Sequence, residues 1–379
     1  MDFDINPEQQ QLADAIRRWS EKDYGFEQRK HIIDSDIGVS DAAWQAMAEL
    51  GLMALAVPEE QGGFNGSAVD MMVVMQELGR GLVIEPFLAH AIGVEFLKRA
   101  GSHAAWLEQA ATGEKKIACA LGEKQARYDL FDITTHAHAE NNTYRLQGEK
   151  SVVLHGAQAD YLIVSARTAG SGRDKSGISL FAIAADTKGI TRKDYRTNDG
   201  MRAATISFDN VIVPADALLG ELHQGWHLID QASDYGVVLL CAEALGAMEN
   251  LTQATLEYLK TRQQFGVPIG KFQALQHRMA EMLMQLEQAR SLVMLAAVKV
   301  ASTDPEERRR TVSAAKARIG IAAKFIGQQA VQMHGGMGVT NELPAPHYFK
   351  RLSMIELSFG DTDHHLARFI AQPGFKQAA

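Results

Sequence analysis

Apolar residues recur at helical spacing at both ends of the chain and at strand spacing in its middle. Leu12, Ile16 and Trp19 follow Asn6-Pro7, a capping side chain and then a residue whose missing N–H costs nothing at the first helical position. A second helix reads from Asp41 through Trp44, Met47 and Leu50 and stops at Gly51. Pro58, Gly62, Gly63 and Gly66 break the next segment into a loop, and helical periodicity resumes from Met71 to Leu78. Residues 1–115 therefore read as a helical domain.

After Lys116 the period shortens. Ile117 to Leu121, Tyr144 with Leu146, Ser151 to Leu154, Tyr161 to Val164, Ile178 to Ile183 and Thr205 to Val213 are strand-like runs separated by Gly, Asn and Asp turns. They predict a compact β domain over residues 116–225. From Trp226 the helical period returns, with Leu275, Met279, Met282, Leu286 and Val293 on one stripe, which predicts a C-terminal helical domain over 226–379. No short repeat or low-complexity segment interrupts this order.

Composition narrows the function classes. A chain of 379 residues with 46% hydrophobic and 22% charged residues is an ordinary globular protein. Its formal charge of -8 argues against nucleic acid and anionic membranes as partners, so a polyanionic ligand needs a local basic pocket. Cys119 and Cys241 lie in apolar runs and fit no metal-ligand spacing, as expected of buried thiols in a reducing compartment. Met1 to Pro7 lacks a basic segment followed by an apolar one, and no apolar run approaches about 18 residues, so the expected location is cytoplasmic. His334 and the pair His364-His365 have no partner at metal-ligand spacing, and no metal is expected.

The richest stretch is Tyr258 to Gly266 followed by Pro268-Ile269-Gly270-Lys271-Phe272-Gln273. Arg262 is a permanently charged forked donor suited to a diphosphate, placed beside Gly266 and Pro268 where the chain must turn. Gln332 with Gly335-Gly336 offers one amide and a backbone without Cβ atoms, which admits close approach of a ligand. Taken alone, Arg262 reads more readily as a solvated helix-end arginine, and Gly335-Gly336 at least as readily as a helix C-cap.

With Pro58 to Gly63, Ser207 to Pro214, Gly220 with Gly225-Trp226, and Val331 to Gly338, these motifs run in order over nearly the whole chain and resemble the acyl-CoA dehydrogenase family. The resemblance implies an α+β multi-domain fold: an N-terminal helical domain, a small central β-barrel and a C-terminal four-helix bundle. It also implies FAD as cofactor, an acyl-CoA thioester as substrate, an electron-transfer flavoprotein as acceptor, and at least a dimer, with a tetramer as the usual arrangement. By position, Arg262, Phe265, Gln273, Gln332, Gly335 and Gly336 take the family's FAD roles across a subunit interface, with Leu121 and Leu154 on the flavin-facing side of the β domain.

Dehydrogenation next to a thioester needs a carboxylate to take the α-proton while the β-hydride goes to the flavin. In many family members that base is a Glu before Gly-Thr; here Phe359 occupies the position. A second group places it on the helix after the β domain, where this chain has Gly236, followed by Val237 in place of a frequent Arg. Asp361 and Glu243 are the candidate substitutes, and Glu356 a further one. Glu243 lies in the apolar run Val237 to Met248, where a carboxylate is either unusually basic or paired.

The flavin side departs as well. The family's Thr-Glu-x-x-x-x-Ser-Asp loop is replaced by Leu121 to Asp129. Val152 stands where an aromatic ring is frequent, and Leu154 where a hydroxyl often donates to the flavin. Loss of that donor would weaken stabilisation of reduced flavin by roughly 1.5–3 kcal/mol.

The pattern is most similar to the small subunits of pimeloyl-CoA dehydrogenases and comparable chains that work with a larger relative. Two altered base positions together with an altered flavin loop favour one subunit of a heteromeric dehydrogenase over a self-sufficient homo-oligomer with a displaced base. A flavin monooxygenase or oxidase on the same fold and a non-catalytic paralogue are the other readings. A dicarboxyl thioester would call for a deep cation, and the apolar helix around Gly236 contains no lone Lys or Arg near that position.

Overall fold

The computed structural model describes residues 5–373. The N-terminal helices are α1 (Pro7–Asp23), α2 (Phe26–Asp34), α3 (Asp41–Glu49), α4 (Ala68–Arg80), α5 (Phe87–Ala100) and α6 (Ala104–Ala111). The strands β1 (Ile117–Ala120), β2 (His136–Glu140), β3 (Thr143–Leu154), β4 (Tyr161–Arg167), β5 (Ile178–Ala184), β6 (Ile190–Arg196), β7 (Arg202–Pro214) and β8 (Leu218–Leu219) follow. The rest comprises α7 (Trp226–Thr261), the hairpin β9 (Gln263–Gln264) and β10 (Val267–Pro268), α8 (Gln273–Lys299), α9 (Pro305–His334), α10 (Pro344–Leu357) and α11 (Thr362–Ile370).

By Cα packing the chain divides into two compact units that interleave along the sequence, one of residues 1–30, 68–83 and 237–379, the other of 31–67 and 84–236. In the helical unit, Asn6 caps α1 as expected: its side chain accepts the Gln9 N–H at 2.8 Å while Gln9 reaches back at 3.0 Å. Arg17 of α1 grips the buried Glu77 of α4 through two hydrogen bonds of 3.0 and 2.7 Å. Arg80 links Glu77 to Glu249 of α7, and Arg290 of α8 meets Glu249 at 2.5 Å. Each of these buried carboxylates thus has two cations, which offsets the cost of taking it out of water.

The other unit is built on an eight-stranded sheet in the order β6-β7-β3-β2-β4-β5-β8, with β1 added in parallel to β4. Its core is aliphatic and aromatic, with Leu146, Leu162, Val164, Phe181, Ile206 and Phe208 at the centre. The runs expected at residues 144–146 and 151–154 form one strand, β3, bent by register shifts between Leu146 and Gly148 and between Lys150 and Val153. Two strands carry too little apolar signal to read from sequence. In β2, His-Ala-His-Ala-Glu, the buried Ala137 is a poor strand former, and β6 is an edge strand whose polar side chains face outward.

Candidate functional site

The end of α7 and the end of α9 come together inside the helical unit. Tyr258 stacks on His334, with ring centroids 4.4 Å apart, and its hydroxyl reaches the His334 carbonyl at 3.3 Å. Arg262 follows one turn after Tyr258, and Gly335 follows His334 directly. The Arg262 N–H still closes the helix on the Tyr258 carbonyl at 2.8 Å, while its carbonyl accepts the Ile269 N–H at 2.9 Å. Between them Phe265 and Gly266, at φ +53° and +80°, form the two-residue loop of the β9–β10 hairpin. Arg262 and Phe265 are exposed, Phe265 by 90%. Gln273 opens α8 and Gln332 sits in the last turn of α9, both exposed. Gly335 leaves the helix at φ +59° and ψ -139°, and a Cβ at Gly335 or Gly336 would meet nothing of the chain within 4 Å. The open Gly335–Gly336 backbone and the exposed guanidinium of Arg262 are thus both accessible in this unit, and a guanidinium is suited to a diphosphate.

The turn from Glu356 to Asp361 is closed by contrast. Phe359 and Gly360 have φ of +56° and +109°. The wholly buried Lys316 of α9 donates to the Glu356 carbonyl at 2.9 Å and the Gly360 carbonyl at 2.6 Å. His365 Nε2 meets the Phe359 carbonyl at 3.0 Å. Burial, with Lys316 next in weight, pushes the His365 pKa down to about 3, so its ring is neutral and can donate there.

The three carboxylates proposed from sequence as proton acceptors are committed elsewhere. Asp361 is the N-cap of α11 and accepts the His364 N–H at 2.8 Å. Glu356 accepts from Thr362 N–H and Oγ1 at 3.1 and 3.0 Å. Glu243 forms a buried two-point ion pair with Arg351, at 2.5 and 2.7 Å. Each of these carboxylates, Asp361 and Glu243 among them, therefore already engages a donor within the chain.

In the sheet unit, Leu121 is buried and offers its backbone: its carbonyl accepts from Lys150 Nζ at 3.2 Å. Leu154 is half-buried at the end of β3, where its backbone pairs with Ala203. Neither side chain can donate a hydrogen bond. The polar content beneath them, missed in the sequence, is the buried pair Lys150–Glu123 at 2.8 Å. Lys150 also donates to Ser165 Oγ at 2.9 Å, and Glu123 accepts from Thr134 and Thr135. Burial draws the Lys150 pKa down to about 8, while Lys150 holds Glu123 down to about 2 against the opposing effect of burial. A Lys four residues before the end of β3 carries no local sign of an acidic partner 27 positions away.

Other candidates have structural surroundings. Burial pushes the Cys241 thiol up to about 12, and the half-buried Cys119 thiol is also pushed up by desolvation. Among the described residues no cluster of His, Cys, Asp and Glu could hold a metal ion, and no helix is long and apolar enough to cross a membrane.

Comparison with known proteins agrees with this layout. Residues 6–114, 118–211 and 223–372 match the family models for the N-terminal, middle and C-terminal domains of acyl-CoA dehydrogenase. The chain is 30% identical to the mitochondrial short-chain specific acyl-CoA dehydrogenase of Bos taurus, over 87% of this chain and 82% of that one. Among solved structures it is similar to the ChsE4-ChsE5 complex from Mycobacterium tuberculosis, with 25% identity, a TM-score of 0.89 and coverage of 100% and 99% of the two chains. It is equally similar to PigA in complex with FAD, with 25% identity, a TM-score of 0.91 and coverage of 99% and 100%. The chain belongs to the acyl-CoA dehydrogenase family of FAD-dependent oxidoreductases.

Proposed function

We propose that this chain is one subunit of a heteromeric acyl-CoA dehydrogenase, in which a related chain supplies the carboxylate that takes the α-proton. The observation that carries the reading is the turn at Glu356–Asp361. Phe359 stands at one base position and Gly236 at the other, and the nearby carboxylates Asp361, Glu356 and Glu243 all have partners of their own. Arg262, Phe265, Gln273, Gln332 and the Gly335–Gly336 backbone meanwhile stay accessible at the open end of the helical unit.

These exposed residues would serve an FAD shared with the partner chain, Arg262 gripping the diphosphate and Gln332 and the glycine backbone lying along it. Bound there, FAD would supply the hydride-accepting chemistry, with an electron-transfer flavoprotein as the acceptor that the family resemblance implies. On the sheet side, Leu121 and Leu154 would give apolar contact without a donor, which fits a half-site that does not itself complete the reaction. The segments 1–115, 116–225 and 226–379 would then act as the substrate-covering helices, the flavin-facing sheet and the oligomer-forming bundle. The similarity to a chain of the ChsE4-ChsE5 complex supports the heteromeric arrangement.

The test is the visible spectrum of the FAD-loaded chain, alone and mixed with sister chains, under anaerobic addition of acyl-CoA thioesters. The expected result is a flavin band that bleaches only in a mixture. Bleaching by the chain alone would show that it needs no partner and overturn the reading.

A further inference from the structure

Four arginines of the helical unit, Arg17, Arg80, Arg290 and Arg351, each meet a carboxylate. Arg278 of α8 and Arg318 of α9 do not. Arg278 donates to the Gln329 side chain of α9 and Arg318 to the Gln285 side chain of α8, so two guanidinium–amide rungs cross the seam between these helices. Among the described residues neither guanidinium has a carboxylate within ion-pair distance, and burial draws the Arg318 pKa below its ordinary value with no acid opposing it. Both side chains are half-buried, so each still opens on the surface.

The seam lies at the edge of an exposed face. Beside Arg278 and Gln285, the residues His277, Glu281, Met284 and Gln288 recur at helical spacing along α8, all exposed. Beside Arg318 and Gln329, the residues Ile321, Lys324, Gln328 and Gln332 do the same along α9. Met284 and Ile321, 55% and 44% exposed, give each row an apolar contact. The cations of the face are Arg278, Arg318 and Lys324, and the carboxylate in these rows is Glu281. The face therefore has an excess of two positive charges on a chain whose formal charge is -8.

A second copy of this chain fits the face poorly, because a two-fold contact of the face with itself sets one positive excess against another. A related chain with the same helix pair and an excess of carboxylates there fits it. Gln332, which ends the exposed row of α9, is also one of the residues assigned above to an FAD shared with the partner, so the face runs into that half-site.

We propose that the outward face of the α8–α9 pair is the docking surface for the related chain of the heteromer, whose facing helices are acidic. Its positive charge selects that chain over a second copy of this one. The inference rests on the heteromeric reading above and deepens it by naming the surface and the charge of the partner.

Sedimentation of the full-length, FAD-loaded chain tests the charge rule without any sister chain, using an Arg278→Glu/Arg318→Glu/Lys324→Glu copy as the acidic partner. Wild type and this copy should associate about ten-fold or more tighter with each other than either does with itself, and the advantage should vanish in about 1 M salt. A mixture that associates no more tightly than the separate copies would overturn the proposal. Purified related acyl-CoA dehydrogenase chains of the same organism then test the surface. Arg278→Gln/Arg318→Gln should weaken association with the sister chain about ten-fold, while Arg18→Gln, on the exposed side of α1, should leave it unchanged. A sister chain that binds both variants like wild type would overturn the docking surface and leave the heteromeric dehydrogenase standing. Failure to associate with any sister chain would sink both.

Discussion

The helical unit contains two Phe-Gly pairs in left-handed backbone, and they are opposites. Phe265-Gly266 turns a two-residue hairpin at the open surface, with Phe265 90% exposed and nothing within 4 Å of a Cβ at Gly266. Phe359-Gly360 has similar φ values but is enclosed, its carbonyls held by Lys316 and His365. A Cβ at Gly360 would come within 2.5 Å of His364 Cδ2 and 2.8 Å of His365 Nε2. The same dipeptide thus serves one turn that presents itself outward and another fixed from behind. A non-glycine residue at positive φ costs about 1–2 kcal/mol, which an exposed hairpin tolerates through Gly266 and an enclosed turn through its hydrogen bonds. The residue the enclosed turn presents, Phe359, cannot take a proton.

The sharpest way to break the contrast is alanine at the two glycines. Gly360→Ala meets both strain and collision and should destabilise by about 3 kcal/mol or more, whereas Gly266→Ala meets strain alone and should cost about 1 kcal/mol. Chemical denaturation of the two variants measures the gap, and equal losses would contradict the enclosed geometry. Next in size is Lys316→Met, which leaves the Glu356 and Gly360 carbonyls without their donor and should cost about 2–4 kcal/mol. Lys316 holds the enclosed turn alone of the two, so the loss should show as faster amide exchange around residues 356–361 and unchanged exchange around 262–268.

The smallest effect is a pH dependence. The folded pKa of His365, about 3, lies below its ordinary 6.5, so the unfolded chain takes up a proton that the folded chain refuses. The stability it contributes is complete above pH 6.5 and is lost as pH falls toward 3, about 1.4 kcal/mol by pH 5.5. Melting of His365→Gln, which keeps a donor without the titration, should be less pH-dependent over that window; an identical pH profile would remove His365 from the turn's support.

Part of this was legible beforehand. The succession of helical, strand and helical periods, the Asn6 cap and the order of the motifs are set within short windows, because capping, turn chemistry and apolar spacing act over a few residues. The absence of a carboxylate at Phe359 and Gly236 is likewise a matter of residue identity. Strands β2 and β6 were not legible: Ala137 and the polar face of β6 owe their strand geometry to neighbours in the sheet.

By itself the sequence determined the class of fold and placed Phe359 and Gly236, neither of them a carboxylate, at positions 359 and 236. Tertiary structure alone decided what the remaining charges do. It gave Glu243 to Arg351 across 108 positions, Glu123 to Lys150 across 27, the carbonyls of the Phe359 turn to Lys316, and Arg99 to Gln231 of α7. The physical reason is range. A helix or turn is stabilised by neighbours along the chain, whereas a buried charge is stabilised only by a partner that packing brings to it, and distance along the sequence carries no record of that meeting.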